Sequence, residues 1–235
     1  MKALVFAVTL SLTLAIAVVA QDSKPSPKSN GASRQPAEAA ANIDVAAIQK
    51  KIDDYTAAIK TDPNNDKFYG ARGQNYQRLG KLDLAVEDLN HAVSLNPSRQ
   101  AYFIVRGDVF EKQERYREAL NDYSQALVCG PPTFDLLLRK GKVAGLLQDY
   151  RTTIVAVKGA LAIKQDDVGA LVMLGGAEQQ VGMFNDSVQH LSRAIELNPC
   201  NRDALRFRAA SYLKLGKREL AEQDANRVRQ LGHGS

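Results

Sequence analysis

From about residue 37 onward, apolar and small residues recur at helical spacing and are punctuated at fixed intervals by turn residues. In the stretch 66–99, Tyr69, Gly73 and Tyr76 mark one face of a first helix, and Leu79-Gly80 stops it. Ala85, Leu89 and Ala92 then mark one face of a second helix, which ends at Asn96-Pro97. The small residues have a physical role. Glycine at 73 and alanines at 85 and 92 remove bulk where two antiparallel helices meet closely, and aromatics fill the space beside them. Asn-Pro breaks the second helix and redirects the chain.

This unit repeats. Gly73, Gly107, Gly141 and Gly175 are spaced by 34 residues, and Ala92, Ala126, Ala160 and Ala194 keep the same interval. Pro63, Pro97, Pro131 and Pro199 share a third phase. The register predicts five helix pairs, at 66–99, 100–133, 134–167, 168–201 and 202–235. Before them, 37–65 reads as an N-terminal helix or half repeat, with Tyr55, Ala58 and Pro63 in phase for the second half of a unit. One correlation runs through the repeats. Arg72, Arg106 and Arg208 share a slot, and sixteen residues later the same units carry Asp88, Asp122 and Asp224. The third unit has Lys140 and Ala156 in these slots, the fourth Leu174 and His190. Arginine and aspartate occur together or not at all, which predicts a charge pair between the two helices of a unit.

The stretch YGARGQNYQRLGKLDLAVEDLNHAVSLNP, residues 69–97, and its equivalents resemble the tetratricopeptide-repeat family over roughly residues 48 to 231. The resemblance implies an all-α fold, a right-handed superhelical solenoid of antiparallel helix pairs. It also implies a concave groove, lined by the first helices, that receives an extended peptide or a partner helix. On the matching stripe, Ile104, Leu138 and Val172 form an apolar ridge flanked by Asp108, Lys142 and Arg206. These six are the candidate partner-binding residues. The middle units depart from the pattern. Ala144, Thr153 and Gln165 stand in the third unit where an aromatic, an alanine and a proline are expected, and Glu178 and Ser187 fill two such places in the fourth. Some family members grip the terminal carboxylate of cytosolic heat-shock chaperones with lysine, asparagine and arginine. Here those slots hold Gly70, Gln74, Val105, Asp135 and Arg139, so that activity is not expected.

The N-terminus adds a location. Lys2 is followed by an apolar run from Ala3 to Val19, and Val18-Val19-Ala20 suits cleavage after Ala20, so residues 1–20 read as a signal peptide. The expected location is secreted or periplasmic, with membrane attachment only if the segment is retained as an anchor. Residues 21–36 are polar and rich in Ser and Pro, and read as a flexible linker. The formal net charge is +5, and from Arg202 onward eight basic residues face four acidic ones. Without interleaved aromatics this patch does not read as a nucleic-acid surface.

Little in the chain suggests chemistry. His91 and His190 lie on second helices of different units and His233 in the tail, too far from one another and from Cys129 or Cys200 to form a metal site or a Cys-His dyad. The two cysteines lie about two repeats apart, beyond bridging distance. No phosphate loop is present, and the carboxylates read as solvated. The expectation is a non-enzymatic, exported scaffold without cofactor, metal or small-molecule substrate, a monomer holding an unidentified protein or peptide in its groove. The alternative is a self-assembling structural element of the cell envelope.

Overall fold

The computed structural model describes residues 44–232. The expected signal peptide, the linker, the first residues of the N-terminal helical segment and His233 lie outside the described residues. Among the described residues there are helices and no strands. In chain order they are α1 Val45–Thr61, α2 Asp66–Arg78, α3 Leu82–Leu95, α4 Gln100–Lys112, α5 Tyr116–Cys129 and α6 Phe134–Leu146. They continue with α7 Tyr150–Ile163, α8 Val168–Gln180, α9 Phe184–Leu197, α10 Arg202–Lys214 and α11 Arg218–Gly232. The first helices α2, α4, α6, α8 and α10 start 34 residues apart. The fold is an all-α helical repeat of the solenoid class. The chain divides into two compact units, the first ending at Arg115 and the second starting at Tyr116.

Caps set many of the helix starts. Asp44, Asn65, Thr133, Asp149, Asp167 and Asn201 each accept a backbone N–H of the first turn with the side-chain oxygen. Helix ends are more uniform. The turn after each first helix needs one residue in the left-handed region: Gly80, Glu114, Gln148, Gly182 and Gly216. The following residue then donates its N–H back into the helix, from Lys81 to Tyr76, Arg115 to Phe110, Asp149 to Ala144, Met183 to Glu178 and Lys217 to Tyr212, at 2.8–2.9 Å. This is the Schellman termination, which satisfies carbonyls that would otherwise face the turn unpaired.

In the first unit, Ala85 and Leu89 of α3 and Val109 of α4 form a buried cluster, with Tyr76 and Val105 packed on it. A Cβ on Gly73 would lie 3.0 Å from Leu89 Cγ, so the glycine admits the close approach of α2 and α3. In the second unit the same register position is tighter still. A Cβ on Gly141 would come to 2.7 Å from Val157, and one on Gly175 to 2.5 Å from Leu191. Val157, Ala170 and Leu174 form one buried cluster there; Leu171, Leu191, Ala194, Ile195, Ala204 and Leu205 form another. Val228 and Leu231 of α11 pack against the second cluster, while Leu220 and Ala225 of the same helix are exposed.

Two of the expected charge pairs can be described in full. Arg72 donates to both Asp88 oxygens at 2.7 Å, and Arg208 donates to both Asp224 oxygens at 2.7 and 2.8 Å. Each arginine uses a remaining N–H on a hydroxyl of the preceding helix, Thr56 for Arg72 and Ser192 for Arg208. The bonds to the aspartates hold both guanidinium groups above the ordinary arginine range, against the opposing effect of burial. Such forked pairs fix the rotation of one helix on the next.

Candidate partner-binding site

The candidate stripe lies on the first helices. In the first unit α4 carries Ile104 and Asp108, both half-buried. In the second unit α6 carries Leu138 and Lys142, α8 carries Val172 and α10 carries Arg206. Leu138 and Val172 are half-buried and rest on different clusters, Leu138 on Val157, Ala170 and Leu174, and Val172 on the one around Leu191. Asp108 and Lys142 already interact with other groups. Arg206 is exposed and makes only a loose contact with Asp203 on its own helix, 3.9 Å away. Leu138 and Val172 thus sit at helix seams, each packed in part on the core and in part exposed.

Two neighbouring positions on the same stripe are closed. A Cβ on Gly70 would fall 2.3 Å from the Tyr102 ring, so that position lies under Tyr102. Tyr102 in turn donates its hydroxyl to Asp66 at 2.7 Å. Gly176 lies beneath Phe207, and Gln179 donates to the Phe207 carbonyl at 3.3 Å. Helical periodicity identifies the stripe but cannot foresee an aromatic from the next helix folding over its glycines.

The structure also holds a charged group that the sequence reading missed. Glu178 of α8 is fully buried, contrary to the expectation that the carboxylates are solvated. One oxygen meets His190 Nδ1 of α9 at 2.7 Å. The other has no hydrogen-bond partner; Lys158 Nζ of α7 stands 3.4 Å from it, within ion-pair range but outside hydrogen-bond geometry. The ion pair is therefore the weaker of the two contacts, because Lys158 is half in solvent. The fourth helix pair thus retains a polar bridge with its polarity reversed, acid on the first helix and base on the second. The signal was present: His190 occupies the aspartate slot, and Glu178 lies one turn beyond the arginine slot.

Other polar groups inside the second unit are paired. The Ser187 and Ser211 hydroxyls bond to each other at 2.9 Å, and Thr153 donates to the Gly141 or Asp149 carbonyl. Among the described residues, no group of three or more His, Cys, Asp and Glu is placed to hold a metal ion. No described helix is long and apolar enough to cross a membrane. Cys129 is half-buried and Cys200 exposed, and the two are not joined in a disulfide.

Comparison with known proteins bears on the fold. A tetratricopeptide-repeat family model matches residues 71–144. No curated protein matches the chain. Among solved structures, YrrB, a TPR protein with an unusual peptide-binding site, aligns with TM-score 0.71 at 21% identity, covering 75% of this chain and 91% of its own. A MamA protein aligns at 0.66 with 15% identity, covering 71% and 91%. MamA from Desulfovibrio magneticus RS-1 aligns at 0.65 with 18% identity, covering 72% and 97%. With its 34-residue register and its forked interhelix pairs, this chain has the fold of the tetratricopeptide-repeat proteins.

Proposed function

We propose that the protein is an exported scaffold that holds a peptide or a partner protein on the stripe of its first helices. The observation that carries this reading is the state of Leu138 and Val172. Each is anchored on the core by one side and leaves the other available, while Arg206 extends into solvent nearby in the register. Rigid helices that present half-buried apolar side chains and an exposed charge suit the reception of an amphipathic segment. The similar structure of YrrB, described as having a peptide-binding site, supports the same use of the fold. Export rests on the apolar run between Lys2 and Gln21.

The test is a pull-down from the exported fraction with the mature chain, repeated with Leu138→Asp and Arg206→Glu. Arg206→Glu is exposed, so its melting temperature stays at the parent value while capture falls. Leu138→Asp loses capture and about 2 kcal/mol of stability, since only one side of the leucine is buried. Capture that survives both substitutions removes the stripe from the binding surface. Recovery of no specific protein under gentle conditions defeats the scaffold reading itself.

A further inference from the structure

The helix pair α6–α7 lacks the acid of its charge slot, and the surrounding side chains change with it. Lys140 stands where Arg72 and Arg208 stand, and Ala156 where Asp88 and Asp224 stand. On the outer face of α7, Val155 replaces Glu87, Gln189 and Gln223 of the equivalent positions, and Gly159 replaces His91, Arg193 and Arg227. The loss of bulk and charge leaves a cavity of about 350 Å³ among α5, α6 and α7. Leu127, Leu137, Val155 and Ala156 supply its apolar walls, and Lys140 and Arg151 its two cations. The lining holds no acid. Asp149, the N-cap of α7, is already engaged by Thr152. Neither Lys140 nor Arg151 forms an ion pair or hydrogen bond with another described residue. Val155 is 74% exposed, an apolar side chain at a register position where the other second helices carry amides or acids.

We propose that this cavity binds a small aliphatic carboxylate. Its carboxylate takes the place that Asp88 and Asp224 fill in their own helix pairs, next to Lys140 and Arg151. Its hydrocarbon chain lies along Leu127, Leu137 and Val155. The chain itself supplies the template, since the Arg72–Asp88 and Arg208–Asp224 slots each hold a carboxylate against a cation at 2.7 Å. The volume is at the low end for ligand sites, roughly 300–1,000 Å³, which suits a short acyl chain. An apolar wall with a few charged groups is also the composition of such sites. The assignment is independent of the partner-holding stripe on the first helices.

Octanoate is the probe, titrated into the full chain by calorimetry beside acetate, octanol and octylammonium. Octanoate is expected to bind at one site, and the other three to bind weaker by about tenfold or more, because each lacks the tail or the negative charge. Lys140→Met removes one cation and is expected to weaken octanoate by about tenfold. Ala156→Asp places an internal carboxylate in the vacant slot and is expected to abolish binding by competition. Circular dichroism checks that both variants fold, and the exposed Arg151→Gln supplies an independent reduction should either fail. The proposal is overturned if octanoate does not bind, if octanol binds equally well, or if the folded variants leave the affinity unchanged. Binding of an acetylated Leu-Glu-Leu peptide with octanoate excluded would likewise overturn the assignment to a small ligand.

Discussion

The helix pairs α2–α3 and α8–α9 solve one problem with opposite degrees of completion. Both place a hydrogen-bonded bridge to a buried carboxylate between their two helices. In α2–α3 the bridge is forked, Arg72 satisfying both oxygens of Asp88 and reaching Thr56 as well. In α8–α9 the bridge is lopsided, Glu178 holding His190 through one oxygen and leaving the other without a hydrogen bond. Both carboxylates are buried, so burial alone does not tell which is structural support and which is a cost. Completeness does. A paired and fully bonded carboxylate stabilises, and a half-satisfied one carries a desolvation penalty that its single bond barely offsets.

Four substitutions test this contrast, the largest effect first. Asp88→Ala strands the Arg72 guanidinium and should cost about 2–3 kcal/mol, less than the roughly 3–5 kcal/mol of a fully buried pair because Arg72 keeps some solvent. Chemical denaturation reads it directly, and a loss near zero would break the contrast from the strong side. Glu178→Met keeps the length of the side chain and removes the unsatisfied oxygen, so its effect should stay within about 1 kcal/mol and can favour the fold. A loss as large as that of Asp88→Ala would show that the lopsided bridge is as supportive as the forked one.

Gln148→Gly sharpens the contrast between regular and irregular units. Gln148 has φ 61° where three of the equivalent turns use glycine. Relieving that conformation should stabilise by about 0.5 kcal/mol, set against the extra freedom glycine gives the unfolded chain. Differential melting of matched samples detects it; a destabilised variant would mean that the glutamine carries a contact of its own. Tyr102→Phe should show the smallest effect at neutral pH and a distinct one at high pH. Burial, then the bond to Asp66, pushes the Tyr102 phenol up to about 12 from an ordinary 10. Its neutral form is thus favoured in the fold. The stability this contributes is full below pH 10 and drains away as pH rises through 12. The parent should therefore lose more stability than Tyr102→Phe between those two values, and parallel melting curves would refute the linkage.

The parts of the fold that were legible in the sequence are those set by a fixed interval. The glycines at 73, 141 and 175 imply close helix contact wherever they recur, and the contacts to Leu89, Val157 and Leu191 show it. The Arg72–Asp88 and Arg208–Asp224 pairs were legible for the same reason, since two slots sixteen residues apart covary in charge. Glu178 was not, because its position was expected to hold an aromatic and the acid counted only as a departure. His190 kept the aspartate slot, but the acid had moved one turn beyond the arginine slot, so the two ends no longer stood sixteen residues apart. The candidate stripe was legible as a face and not as a surface. Periodicity assigns Gly70 and Gly176 to it, but Tyr102 and Phe207 from the following helices decide that these positions are covered.

The Schellman turns constrain how the length of this chain can change. Each ties a first helix to its second through one left-handed residue and one backward hydrogen bond. A single residue inserted between Arg78 and Leu82 would rotate every later side chain of that second helix by roughly 100°. Asp88 and Leu89 would turn off the face that meets Arg72 and Gly73, and the forked pair could not re-form. The segments between one pair and the next, such as Asn96 to Arg99, carry no such turn and can absorb an extra residue more easily. A lineage of such proteins would therefore vary by whole periods of 34 or by small changes at those joints, and hardly ever inside the turn of a pair.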